Sequence, residues 1–367
     1  MENKKGTYLK ELLAELVQPD TREETLNKCL KTVRDKIEVI KNQYSGLKKK
    51  FYKNNDVLVE MMVTDACFIL QFINKLTKSG NILSENRIRR RSVALDLVLI
   101  ENQIPFFVLQ DIYDLIFTKK LTESTTPDLK TLLFVLLQQV NPFKEELNVE
   151  NLSVTSNPFH IVGLLHEFYH PRYELSNISD IPTAHTAVEL HEIGVRFRPN
   201  QSLRWPMAME FESLPHKSTI KMPEVLIDNH FEVVMRNLIV YEQYSPVENY
   251  VTSYVMAMDM LIATPADVAK LGESGVLTSH LGSNEKVSNM INDICKDVTF
   301  LDFYYMDVWK KAEKHYDSYW SRNFGVLKRK YFSTPWKATA LFAGIIVFIF
   351  AVVSFAFRII AFKSSRK

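Results

Sequence analysis

Apolar residues recur at helical spacing through most of this chain. Residues 4–17 and 21–50 read as helices, the second amphipathic and strongly charged. Asp56 stands as the cap of an apolar helix reaching about Lys78, and Ser84–Ile100 forms another. Pro105 opens the next, through Lys119, at the first-turn position where its missing N–H is harmless. Pro127–Val140 and Pro158–His170 follow. Near Gly194 the period changes. VRFRP, MAMEFE, TIKMP and VLID alternate apolar and polar residues between Pro and Ser breaks, which predicts three or four short antiparallel strands within about 194–228. Helical spacing returns at Phe231–Gln243, Val247–Ala263, Ala266–Leu271 and Asn284–Asp297, and a long helix over Asp302–Phe332 leads to Pro335. The expected fold is mainly α with a small inserted antiparallel β-sheet (α+β), plus one C-terminal transmembrane helix. Its parts are a helical body over 1–301, a helical stalk over 302–335, a membrane helix over 336–358 and a short basic tail over 359–367.

The membrane reading rests on Ala338–Phe357, twenty residues without an ionisable side chain. At 1.5 Å per residue they span roughly 30 Å, the thickness of a bilayer's hydrocarbon core. Trp336 stands where interfacial aromatics belong, and Lys337 and Arg358 bracket the run. Two other apolar stretches fail the same test. Val57–Leu76 carries Glu60, Asp65 and Lys75, and Val93–Phe117 carries Asp96, Glu101, Asp111 and Asp114. Each such charge at mid-membrane costs about 2.5–3.5 kcal/mol, so these are core helices of a soluble body.

Charge sharpens this division. No Asp or Glu occurs from Ser318 to Lys367, but nine Lys and Arg do; removing them from the net charge of +2 leaves residues 1–317 at −7. An acidic body argues against nucleic acid as a partner. The basic cluster Lys328, Arg329, Lys330 and Lys337 suits anionic lipid headgroups, so a lipid bilayer is the first expected partner. MENKKGTYLKELLAEL has acids where a signal peptide needs an apolar run, so insertion after synthesis and a cytosolic body are expected. Cys29, Cys67 and Cys295 are odd in number and far apart, which suits a reducing compartment. The sequons at Asn151, Asn177 and Asn200 are as many as chance supplies. With only 10 glycines there is no G-x-G-x-x-G, P-loop or nucleophile elbow, which weakens nucleotide-binding and α/β-hydrolase readings.

Three constellations remain. His166-Glu167-Phe-Tyr-His170 matches the H-E-x-x-H pattern in which two histidines on one helix face hold zinc and the glutamate activates water, and Glu189 offers a third ligand. Pro171 ends that helix at the second histidine, where a zinc-protease helix continues, so the match is read as coincidence and no metal, cofactor or catalytic residue is assigned. Glu101, Asn102 and Gln103 interrupt an apolar run; buried, they need hydrogen bonds, which capping of the Pro105 helix or ties to Asn237 and to the island Tyr241, Glu242, Gln243 would supply. The stalk's aromatics, among them Phe303, Trp309, Tyr316, Trp320 and Phe324, either pack on the body or form a homo-oligomeric or partner interface.

LDLVLIENQIPFFVLQDIYDLI (95–116), with Asp96 and the Glu101-Asn102-Gln103-Ile-Pro105 core, resembles the signature of the plant family called domain of unknown function 247, or uncharacterised protein family 0481. VEMMVTDACFIL (59–70) is similar to its Asp65-x-Cys67-Phe68 segment; Met1, Glu2 and Lys5 resemble its helix opening, and PFHIVGLLH, MRNLIVYEQY, YVTSYVMAMDMLI and YFSTPW follow in order. The resemblance implies a mostly helical plant protein on a C-terminal membrane helix, with no established enzymatic activity. Some grass members are linked to pollen–stigma self-incompatibility, which implies recognition and signalling. It also implies an N-terminal Ser-x-Gly-Pro-Tyr-His stretch that this sequence lacks, as a truncated, non-functional relative would. The expected function is protein–protein recognition from a membrane; the alternative is a membrane-anchored zinc hydrolase using His166, Glu167 and His170.

Overall fold

The computed structural model describes residues 2–44, 54–78, 84–117, 128–145, 147, 158–171, 182–200, 205–214, 217–296, 298–299, 302–318, 332 and 334–364. It is mainly helical, with two small sheets. The N-terminal half contains α1 (Glu2–Leu16), α2 (Arg22–Asp35), α3 (Ile37–Asn42), α4 (Asn55–Lys78), α5 (Ser84–Val98), α6 (Phe106–Phe117), α7 (Leu129–Leu137) and α8 (Ile161–Phe168). α4 lies at its centre, packed on α1, α2, α6 and α7. Of the charges that excluded it from a membrane, Glu60 is exposed and Asp65 and Lys75 are taken up by α1. Lys5 pairs with Asp65, Glu11 with Lys75, and Glu15 accepts from Gln71 and Asn74 at 3.0 and 3.1 Å. The cap of α4 is Asn54, whose Oδ1 accepts from the N–H groups of Asp56 and Val57; Asp56 pairs instead with Arg34 at 2.7 Å. The helix expected over 21–50 is broken at Lys36, whose side chain reaches Asp111 of α6 at 2.5 Å.

The second half continues with α9 (Ala187–Glu192), β1 (Val195–Pro199), β2 (Glu210–Leu214), β3 (Lys217–Met222), β4 (Val225–Ile227), α10 (Asn229–Tyr244), α11 (Tyr250–Leu261), α12 (Pro265–Glu273), β5 (Leu277–Ser279), α13 (Asn284–Ile294) and α14 (Met306–Asp317). The strands depart from the antiparallel expectation. β2 and β3 form an antiparallel hairpin, but β1 runs parallel to β3 on its other edge. The reason lies between β1 and β2. Trp205, Met207, Ala208 and Met209 are all buried, so MAMEFE enters the core before it pairs, and this crossing carries β2 to the far edge. β4 leaves that sheet and pairs in parallel with β5, a three-residue strand too short to show a period.

The expected stalk helix is also shorter. α14 begins at Met306, and Ser318 leaves it in extended conformation. Phe303, Trp309 and Ala312 are buried and belong to the same hydrophobic core as Leu12 of α1, so this segment is part of the body. The Tyr316 ring stacks on His185 with centroids 4.0 Å apart. Trp320 and Phe324 lie outside the described residues, as do Lys328, Arg329 and Lys330. The last element, α15 (Pro335–Ser364), contains one stretch, Pro335–Ser354, long and apolar enough to cross a membrane, none of it buried. Trp336 and Lys337 are exposed at its start; the side chain of Arg358 is outside the described ones.

Candidate functional site

Two features gather most of the expected residues. The first is a groove of about 850 Å³ between α1, α4, α5 and the Glu101–Ile104 segment. On α4 the positions Met61, Asp65, Phe68, Phe72 and Leu76 recur every three or four residues and so share the face that lines it. Tyr8 of α1 meets Phe68 with ring centroids 5.1 Å apart, and Phe68 stacks on Phe72 at 6.3 Å. The Lys5–Asp65 pair sits at the edge, and the Lys75 ammonium lies over the Tyr8 ring, 4.3 Å from its centroid. Arg90, Asp96, Glu101, Asn102 and Gln103 add further polar lining, so segments near residues 5, 65 and 100 meet at one surface.

Within the Glu101–Gln103 segment the three residues do different things. Glu101 and Asn102 are exposed, against the expectation that all three are buried, and Gln103 alone is buried. Gln103 closes the end of the preceding helix rather than the start of the next. Its amide Nε2 donates to the carbonyl of Leu97 at 2.9 Å, a group the helix end leaves without an intrahelical donor, and to that of Leu99 at 2.7 Å, which also accepts from Asn102 N–H. Its Oε1 accepts from Val162 N–H at the start of α8, and Asn102 donates to the Asp96 carbonyl. Pro105 is buried at the entrance of α6, where the Phe106 N–H donates to Phe159. The tie to Asn237 exists, but through backbone: Ile100 N–H donates to Asn237 Oδ1 at 2.7 Å. Tyr44 donates to the Gln103 carbonyl at 2.9 Å, and burial, reinforced by the Asp65 charge, pushes its phenol well above the ordinary value.

The second feature is a buried polar knot. The Glu242 carboxylate, fully buried, accepts from Val251 N–H at 2.8 Å, Thr252 N–H at 2.7 Å and the Thr252 hydroxyl at 2.5 Å, so it caps α11 from α10. Its fourth donor is His166 Nε2 at 2.9 Å. The other ring nitrogen, Nδ1, lies 2.8 Å from the Tyr250 hydroxyl, which also donates to the His166 carbonyl. Burial, then the Glu242 charge, raises the Tyr250 phenol, so it stays a donor. His166 therefore has both nitrogens engaged, while His170 Nδ1 lies 2.7 Å from the Pro171 carbonyl and its Nε2 3.3 Å from Glu248. Among the described residues no three His, Cys, Asp or Glu side chains converge as metal ligands. Gln243, adjacent to the knot, points outward and donates to the Thr299 carbonyl.

Cys67 faces the opposite way from its neighbour Phe68: it is buried beside Cys29, and burial pushes its thiol well above the ordinary range, with Cys29 adding to the effect. Burial and the Asp259 charge push Cys295 up to about 12. Thiolate is the reactive form. Iodoacetamide at pH 8 is therefore expected to leave Cys67 and Cys295 unmodified in the native protein and to label both after unfolding, read by intact mass; fast native labelling of Cys67 would contradict this packing.

Sequence reasoning missed Tyr8, Tyr44, Met61, Phe72 and Lys75 as groove residues. The three-and-four spacing on α4 carried the signal, but the covering face of α1 becomes visible only in the fold. Tyr250 was missed because nothing in its apolar helix marks it as polar.

The architecture defines a helical body with an open aromatic groove, followed by one exposed apolar helix. A family model described as plant protein of unknown function, DUF247, matches residues 1–350, and the chain belongs to that family. It is similar to UPF0481 protein At3g47200 of Arabidopsis thaliana, 27% identical over 398 residues covering 99% of this chain and 79% of the relative. Putative UPF0481 protein At3g02645 of Arabidopsis thaliana is 21% identical over 412 residues, covering 87% of this chain and 76% of the relative. No solved structure matches the chain.

Proposed function

We propose that this is a single-pass membrane protein whose body, held at the cytosolic face, recognises another protein in signalling, without catalysis. The observation that carries the reading is Pro335–Ser354. Its twenty residues carry Lys337 as their one charge and stand with none of the stretch buried, although every other long apolar helix in the described body is packed into the core. Left in water, that surface would be a large exposed apolar patch; a bilayer removes it. The non-catalytic part draws support from His166, whose ring nitrogens serve Glu242 and Tyr250 rather than a reacting group. The candidates for a homotypic or partner contact are the sequence's remaining aromatics between the body and the span, Trp320 and Phe324 among them.

Topology tests the proposal. In sealed vesicles with the cytosolic side outward, the body is expected to be digested by added protease, to remain membrane-bound in alkaline carbonate, and to show no glycosidase shift from Asn151, Asn177 or Asn200. A protected, glycosylated body would make it an ectodomain, and release by carbonate would remove the anchor.

A further inference from the structure

The groove between α1, α4 and α5 has the size of a small-molecule site: about 850 Å³, within the usual range of ligand pockets. Its walls are aromatic and thioether surface, chiefly Tyr8, Phe68, Phe72 and Met61, which is adaptable and strongly apolar. Its polar groups identify the ligand further. The charges that line it offset one another, Lys5, Lys75 and Arg90 against Asp65, Asp96 and Glu101, and the two lysines are engaged: Lys5 with Asp65, and Lys75 with Glu11 and the face of Tyr8. A charged ligand would meet both signs in this lining, and one that took Lys5 or Lys75 would leave that residue's partner at a partly desolvated edge. The Gln103 amide is committed to two carbonyls and one N–H. The Tyr44 hydroxyl has used its proton on the Gln103 carbonyl, so its oxygen is left with acceptor capacity.

We infer that this groove binds an uncharged, predominantly apolar small molecule with a ring-containing body and one hydrogen-bond donor, seated on Tyr8, Phe68 and Phe72. This goes beyond the recognition reading and does not depend on it. A ligand there would touch α1, α4 and α5 together.

A matched pair of probes tests it: dansylamide, uncharged, and dansyl sulfonate, the same fluorophore as an anion. The full chain in nanodiscs, with empty nanodiscs subtracted, is titrated by fluorescence. Saturable 1:1 binding of dansylamide is expected, with the sulfonate at least tenfold weaker. Val93→Trp on α5 and Met61→Trp on α4, both at part-buried lining positions, fill the groove and are expected to lower dansylamide affinity at least tenfold. Circular dichroism melting identifies a variant that has unfolded, and the other then decides. Absence of saturable dansylamide binding, equal or tighter binding of the sulfonate, or unchanged binding in a folded filling variant would each overturn the inference. If the membrane reading fails, the same titration runs in buffer, so the two failures are separable.

Discussion

Replacing Glu242 by alanine is expected to destabilise the body by about 3–5 kcal/mol, at about 1–3 kcal/mol for each buried group left without its partner. The reason is the number of donors that converge on one carboxylate. Oε1 receives Val251 N–H and His166 Nε2, and Oε2 receives Thr252 N–H and its hydroxyl. Alanine leaves the Val251 and Thr252 N–H groups at the start of α11 without acceptors in a buried site and leaves His166 Nε2 only the Glu248 carbonyl at 3.2 Å; each orphaned donor carries its full desolvation penalty. Glu242→Gln recovers little, because whichever oxygen becomes NH₂ faces two donors. The check is urea unfolding of the full chain in mild detergent, followed by circular dichroism, with Glu248→Ala as an exposed control expected to stay within about 0.5 kcal/mol. A Glu242→Ala protein as stable as wild type would mean that the knot is not what joins α8, α10 and α11.

The same residues show what the sequence makes legible. The helices were readable because their apolar positions repeat over three or more turns, and α15 was readable because twenty residues lack any charge. The pairing of β1 with β3 was not, since it depends on where Trp205 and Met207 bury, and burial of a connection leaves no period. His166 belonged to a recognisable zinc pattern, yet its neighbours in space are Glu242 and Tyr250, 76 and 84 residues away. Spacing along one helix could propose a ligand set; only the fold decides which groups the ring nitrogens face. The groove divides in the same way. Asp65, Phe68 and Asp96 stood out through the family resemblance and the Glu101–Gln103 segment as a polar break in an apolar run, but that they line one surface follows from α1 covering α4. Conversely, Cys67 stood beside Phe68 in one segment and faces the core instead, because adjacent helical positions point about 100° apart.

Gln103→Leu is expected to cost about 3 kcal/mol, at one to three for each buried polar group left without its partner. Leucine has nearly the same volume, so the loss is one of hydrogen bonds rather than packing. The Leu97 carbonyl loses its donor and Val162 N–H its acceptor, while the Leu99 carbonyl keeps the Asn102 N–H at 3.0 Å, which loosens the join between the end of α5 and the start of α8. Gln103→Glu separates the contributions. It keeps the acceptor for Val162 but turns a carboxylate oxygen toward two carbonyls, so it is expected to be at least as destabilising. Glu101→Ala and Asn102→Ala, at exposed neighbours, are expected to stay within about 0.5 kcal/mol. Urea midpoints at equal m-values give the comparison. If the order is reversed, with Gln103→Leu neutral and Glu101→Ala costly, the segment stabilises the body through its outward face, and the helix-end closure described above is wrong. If the expected order holds, Glu101 and Asn102 are left as groove lining with little part in stability, and substitutions there change what the groove accepts without changing whether the body folds.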